Sequence, residues 1–277
     1  MPELPEVETV VRTLETKLGH CTIESVEVRW PKIIDTPDIK TFCERLKGQT
    51  IQSYGRIGKY LMFDLGDQML IAHMRMEGKF YVQKAEEPYD HKHVHLLIRM
   101  RDGVELRYHD TRKFGRFALY DKREDPYAYP ALKHVGLDAF DERLTPTYLY
   151  QQMHKRRITL KQALLDQQIM AGVGNIYADE ICFALRMHPA TKIWHLRKKD
   201  YETMLTETRR ILNGAARAGG TTIRSYTSSL GVDGRFQLEL NVHAREGEPC
   251  PICQGMVKKI TLATRGTYYC PACQRKR

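Results

Sequence analysis

The chain has 277 residues, 42% of them hydrophobic, enough for a sizeable buried core in two domains with an appendage. Its 44 Lys and Arg against 34 Asp and Glu leave a net charge of +10, which favours a polyanionic partner such as nucleic acid. No stretch approaches the ~18 to 20 apolar residues of a membrane span, and the N-terminus lacks the regions of a signal peptide, so a cytosolic protein without a membrane partner is expected.

The sequence opens Met1-Pro2-Glu3-Leu4-Pro5-Glu6. Removal of Met1 leaves Pro2 as a free secondary amine beside the carboxylates of Glu3 and Glu6. An α-amino group titrates near ~8 against ~10.4 for a lysine, which lowers the cost of the neutral nucleophile by roughly 3 kcal/mol. Attack of such an amine on a sugar C1′ gives an iminium, which acidifies the C2′ proton and opens a route to β-elimination. Val7, Val10, Val11, Leu14 and Leu18 then recur at helical spacing, so 5–18 reads as a helix closed by Gly19. Pro2 sits at its N-terminal end, where the helix potential disfavours an ammonium and attracts an anion.

From Thr22 to about Lys122 the pattern changes to short strands: 22–30, 50–54, 60–65, 69–74, 80–83, 94–100, 104–109 and 116–120, with turns at Gly66-Asp67 and Asp102-Gly103. Many short strands imply an antiparallel sandwich or barrel. Between them, Met76 is a flexible apolar side chain beside the Gly78 turn, and Asp110-Thr111-Arg112-Lys113-Phe114-Gly115 offers a guanidinium and an aromatic ring. By composition alone Met76 and Phe114 read more readily as core side chains.

The polar segment 123–130 reads as a linker, after which helical periodicity takes over. Thr145-Pro146 opens one helix, 159–165 suggests a second, Asn175 begins a third that Pro189 ends, and 201–218 makes a fourth closed by Gly219-Gly220. Gly172-Val173-Gly174-Asn175 places a tight turn at a helix start, a geometry that aims backbone N–H groups at an anion. The residues before that turn read as helix. After the fourth helix, Gly220 to Tyr226 and the glycines from Gly231 to Gly234 read as a lid-like loop.

Cys250-Pro251-Ile252-Cys253 and Cys270-Pro271-Ala272-Cys273 have the spacing of a four-thiolate zinc site, whereas Cys21, Cys43 and Cys182 are scattered and expected to be buried thiols. Lys258, Lys259, Arg265, Arg275, Lys276 and Arg277 give the cysteine segment one-sided charge, so it reads as a zinc-held hairpin laid along phosphates.

The block Pro2 to Thr9 closely resembles the N-terminus of formamidopyrimidine-DNA glycosylases, bacterial repair enzymes for oxidised purines. Leu4 and Val7-Glu8-Thr9 separate it from the endonuclease VIII branch, which typically begins Pro-Glu-Gly-Pro-Glu. The strand-turn motif at His73, the Asp110 to Gly115 loop, the turn before Asn175 and the cysteine pairs follow in family order, so the resemblance spans essentially the whole chain. It implies an α+β multidomain fold: an N-terminal antiparallel β-sandwich with an N-terminal helix (1–125), a linker (126–144), a helix-two-turns-helix domain with a lesion-recognition loop (145–242) and a zinc-ribbon finger (243–277).

The implied activity is that of a bifunctional DNA glycosylase and abasic-site lyase. A monomer holding one structural Zn2+ acts on double-stranded DNA that contains 8-oxoguanine, a formamidopyrimidine or an abasic site. By the resemblance, Pro2 attacks C1′, Glu3 protonates the opening sugar, Glu6 positions or relays protons, and Lys59 contacts the damaged nucleotide's phosphate and assists elimination. His73, Lys161, Asn175, His243 and Arg265 become DNA contacts, and Met76, Arg112 and Phe114 fill the vacated space. Thr222, Ile223, Arg224, Ser225 and Tyr226 close over the base.

Three departures stand out. His243 replaces a tyrosine, 136–140 replaces a proline-rich segment, and Gln162 replaces a proline, which bears on domain orientation and local helix geometry. A non-catalytic zinc-ribbon nucleic-acid-binding protein is the rival reading. It accounts for the charge and the cysteines but leaves Pro2, Glu3 and Glu6 without a role. An endonuclease VIII-like enzyme for pyrimidine lesions is a second alternative.

Overall fold

The computed structural model describes residues 1–221 and 236–276, which divide into two compact units. The first is Met1–Lys133 with Gly219, Gly220 and Thr221; the second runs from His134 to Ala218 and resumes at Phe236.

In the first unit α1 (Leu4–Leu18) buries Leu4, Val7, Val10, Val11 and Leu14 along one stripe, and a reciprocal capping box between Glu3 and Glu6 satisfies N–H groups at its start. The strands are β1 (Ile23–Val28), β2 (Ile34–Thr36), β3 (Ser53–Ile57), β4 (Tyr60–Asp64), β5 (Gln68–His73), β6 (Lys79–Lys84), β7 (Val94–Met100), β8 (Val104–His109) and β9 (Arg116–Asp121). They form a four-stranded sheet, β1-β7-β8-β6, and a five-stranded sheet, β2-β9-β5-β4-β3. Leu70 and Phe117 of one sheet share a core with Phe80, Leu106 and Tyr108 of the other, and with Leu14 of α1, so the two sheets make the expected sandwich. Phe80 lies edge-on to Phe63 and Phe117, with centroids 6.3 and 6.1 Å away.

Two elements escape the sequence reading. α2 (Ile39–Leu46) is capped by Asp38, whose carboxylate accepts from Thr41 N at 3.1 Å, and β2 pairs in parallel with β9. Both are short, and α2 buries only Phe42 and Leu46, too little periodicity to stand out. The strand expected at 50–54 begins instead at Ser53.

The second unit holds β10 (Leu137–Asp138), α3 (Pro146–Met153), α4 (Leu160–Leu165), β11 (Met170–Ala171), α5 (Asn175–Ala184), α6 (Lys198–Arg217), β12 (Lys258–Leu262) and β13 (Arg265–Tyr269). α5 packs on α4, α6 and β13. Thr145 caps α3 as its sequence implies. Thr159 and Gln162 form a capping box on α4, with Thr159 N donating to Gln162 Oε1 at 2.9 Å, so Gln162 secures the first turn through a hydrogen bond that a proline could not make. The residues before Gly172 are a two-residue strand paired in parallel with β10, in place of the helix expected there. α5 ends at Ala184, earlier than Pro189 suggests.

The contacts place the division after Lys133, inside the expected linker. Residues 126–133 turn twice in 3-10 geometry with the first unit, where Tyr129 is fully buried and accepts from Arg123 N at 2.9 Å. The cysteine segment clusters with the helices of the second unit.

Candidate functional site

Pro2 is buried at the start of α1, preceded by an exposed Met1. While Met1 remains attached, the Pro2 nitrogen is an amide, so a nucleophile requires its removal. Glu3 and Glu6 are 3% and 5% exposed. Glu6 Oε2 accepts from Glu3 N at 2.9 Å, while Oε1 accepts from Thr221 N at 2.8 Å and from Thr221 Oγ1 at 3.1 Å. A carboxylate fixed on both oxygens is a positioning group, and it joins the start of α1 to the end of the described chain before residue 222.

Lys59 occupies the Gly58-Lys59 turn of the β3–β4 hairpin, where Gly58 takes φ +55°. The hairpin packs on α1, secured by Arg56 Nε on Glu8 Oε2 at 2.7 Å. Lys59 is buried, and its charge reaches His73 on β5. Burial, with the positive charges of Arg75 and Lys59, pushes the His73 imidazole down to about 3. The ring is therefore neutral at working pH. Its Nδ1 accepts from Arg75 N at 2.9 Å, so the proton sits on Nε2, which can donate to a phosphate without carrying charge.

Met76 and Phe114 are 36% and 46% exposed, and the Arg112 guanidinium lies 4.7 Å from the Phe114 ring centroid. Each loop contains a non-glycine residue in the left-handed region beside its apolar tip, Arg75 at φ +56° and Lys113 at φ +58°. The sequence reading gave no role to Asp110, which is fully buried and accepts from Arg112 N at 2.9 Å, Phe114 N at 2.8 Å and Gly115 N at 2.9 Å. An aspartate opening a glycine-closed loop is the signal that could have found it.

In the second unit Asn175 is the first residue of α5, and its Nδ2 donates to Gly266 O at 3.1 Å. Its Oδ1 is buried without a hydrogen-bond partner among the described residues. Arg265 is exposed and opens β13, after a two-residue turn in which Ala263 and Thr264 take φ +47° and +64°.

Lys161 corrects the sequence reading. It is 1% exposed, with Nζ 2.7 Å from Asp179 Oδ1, 3.0 Å from Gly266 O and 2.8 Å from Thr267 Oγ1. Its ammonium is committed to the zinc-segment hairpin and is not presented to a backbone phosphate. His243 is also buried, and its Nδ1 lies 2.8 Å from Asp179 Oδ2. Glu180 and Asp179, to which the sequence reading gave no role, organise this region. Glu180 accepts from Asn241 N, Asn241 Nδ2, Val242 N and His243 N, each at 2.9 Å, which holds the chain that leads into the cysteines.

The sulfurs of Cys250, Cys253, Cys270 and Cys273 lie within 4.8 Å of one another. Two cross pairs are 3.9 Å (Cys250 to Cys273) and 3.4 Å (Cys253 to Cys270) apart, against about 3.8 Å between sulfurs in a tetrahedral zinc-thiolate site. The Gly255 N–H, with the neighbouring sulfurs, pulls Cys253 down to about 7, in the direction of the thiolate. The donor set fits one zinc ion. Cys21 and Cys182 are buried and Cys43 half-buried. Thr222, Ile223, Arg224, Ser225 and Tyr226 lie outside the described residues.

Three family models cover most of the chain: the formamidopyrimidine-DNA glycosylase N-terminal domain over residues 1–117, the H2TH domain of the same glycosylases over 135–227, and the zinc finger found in FPG and IleRS over 247–275. A formamidopyrimidine-DNA glycosylase of Bacillus subtilis is 45% identical over 100% of both chains. Among solved structures, a Lactococcus lactis Fpg variant in complex with DNA containing Fapy-dG is 36% identical with a TM-score of 0.92, covering 99% of this chain and all of that one. The Lactococcus lactis Fpg with DNA containing an abasic site matches with a TM-score of 0.90 at the same identity and coverage.

Proposed function

The chain belongs to the formamidopyrimidine-DNA glycosylase family, and from that membership we propose a mechanism in which Pro2, freed of Met1, excises oxidised purines from duplex DNA and then cuts the strand. The lesion nucleotide leaves the stack, and the amine of Pro2 bonds to C1′ as the base departs. Glu3 delivers the proton that opens the sugar. Glu6, held on both carboxylate oxygens, keeps Glu3 and the start of α1 in place. The iminium acidifies C2′, and successive β- and δ-elimination release the phosphates on both sides before hydrolysis returns the free amine.

Lys59 draws the phosphate of the damaged nucleotide and assists elimination, and His73 donates to the backbone from a ring that stays neutral. Met76, Arg112 and Phe114 occupy the space left by the lesion, and Arg265 and Asn175 bind phosphates. The residues 222–226 read the everted base. Cys250, Cys253, Cys270 and Cys273 would hold one zinc ion, which would fix the shape of the Arg265 hairpin. The work is done on chromosomal DNA in the bacterial cytoplasm; among the described residues no helix is long and apolar enough to cross a membrane.

The observation that carries this reading is the knot at the start of α1, where Pro2 is followed by two buried carboxylates whose positions are fixed by hydrogen bonds. A rival that only binds nucleic acid has no use for it. Borohydride trapping on an 8-oxoguanine duplex tests the reading. Wild type gives a covalent adduct at Pro2, and Met-processed, folded protein that gives none turns the assignment to a binding protein. Comparison with a thymine glycol duplex fixes the branch, with the purine lesion the faster substrate.

A further inference from the structure

The turn that carries Met76 and the loop that carries Arg112 and Phe114 share one buried fastening. Tyr108, on β8, is 1% exposed, and its hydroxyl lies between Met74 O at 3.4 Å and Asp110 Oδ2 at 3.3 Å, its single proton shared between the two acceptors. Met74 O also accepts from Gly78 N at 3.1 Å, which closes the first turn, and Asp110 holds Arg112, Phe114 and Gly115 in the second. The two closing glycines both abut the same hydroxyl. A Cβ on Gly78 would lie 2.1 Å from Tyr108 Oη, and one on Gly115 would lie 1.9 Å away. Neither loop tolerates a side chain there while the phenol stays in place.

Asp110 is itself fastened by its backbone. Its N donates to His93 O at 2.9 Å, and its carbonyl oxygen lies 2.9 Å from His95 Nε2. Left-handed residues such as Arg75 and Lys113 persist only where their surroundings over-determine them, and Tyr108 with Asp110 provides that for both loops.

We propose that Tyr108 and Asp110 are positioning residues that make the two loops one rigid wedge, so that Met76, Arg112 and Phe114 enter the duplex together. The inference rests on the void-filling role assigned above to those three side chains. Because the wedge is assembled before DNA arrives, its ordering is not charged to the flipping step. Neither residue touches the reacting atoms.

The test is a set of double-mutant cycles on the rate of 8-oxoguanine excision from duplex DNA. In wild type, Met76→Ala and Phe114→Ala each slow excision, and their effects are non-additive by about fivefold, the scale of coupling between side chains that act through a shared structure. In a Tyr108→Phe background the coupling falls to near onefold, since the ring still fills the core but the hydroxyl that joins the loops is gone. Asp110→Asn, whose amide presents N–H to N–H, slows excision from a normal duplex.

A duplex with no base opposite the lesion, which leaves less to displace, restores much of the Asp110→Asn rate. A merely misfolded protein would not be rescued by a change in the DNA. Additive effects of Met76→Ala and Phe114→Ala in wild type, or coupling that survives Tyr108→Phe, overturns the proposal. If neither alanine variant slows excision at all, the void-filling assignment itself is wrong and the proposal goes with it. Matching thermal melts for wild type and Tyr108→Phe keep the comparison free of folding loss.

Discussion

A histidine held neutral beside two cations makes folding sensitive to acid. His73 titrates near 6.5 when unfolded and about 3 in the fold, so below its unfolded value the unfolded chain takes up a proton that the native chain refuses. The stability contributed by keeping it neutral is complete above pH 6.5 and is lost progressively as pH falls toward 3. At pH 4 the loss amounts to roughly 3 kcal/mol. His73→Gln removes that dependence, so urea titrations should show wild type losing about that much more stability than the variant between pH 7 and 4.

His243 behaves differently. Its Nδ1 donates to the Asp179 carboxylate at 2.8 Å, the reverse of the acceptor role that Nδ1 takes in His73. The sequence named both imidazoles. It could not give either tautomer, because these depend on Arg75 N and on Asp179, groups that only the folded chain brings to the rings.

The elements show where sequence patterns inform and where they stop. α1, β7 and β8 stand where their periodicity puts them, since each buries enough side chains to leave a repeat in the chain. Lys161 is the contrary case. In sequence it is a cation in a basic stretch, but α4 delivers it into a site closed by Asp179 on α5 and by Gly266 and Thr267 on the β12–β13 hairpin, partners 18 to 106 positions distant. Lys161→Met should destabilise the second unit by roughly 3 to 5 kcal/mol in chemical denaturation, because it takes the cation from Asp179 Oδ1 in a buried site.

The same hairpin has two supports, the zinc thiolates and these side-chain bonds. Chelation should therefore raise amide exchange across β12 and β13 while leaving β5 and β9 of the other unit protected. Faster exchange in both units would mean that zinc governs the whole chain.

At the scale of the molecule, the excess of +10 makes DNA affinity strongly dependent on salt. The exposed Arg265 should count as one phosphate contact in that dependence, and Arg265→Ala should reduce the slope of log affinity against log salt by about 1. An unchanged slope would take Arg265 off the DNA.

The knot at the start of α1 also bears on synthesis. Glu6 accepts from Thr221 across 215 positions of sequence, and the whole interval from His134 to Ala218 belongs to the other unit. A nascent chain that has emerged only to Lys133 holds the strands of its sandwich and the Glu3 amide on Glu6 Oε2, yet the Thr221 bonds to Glu6 Oε1 wait until translation is four-fifths complete. A fragment ending there would own every described strand of the lobe and still lack the Thr221 tie at the start of α1. The order of events on the ribosome is thus written into one hydrogen-bonded carboxylate.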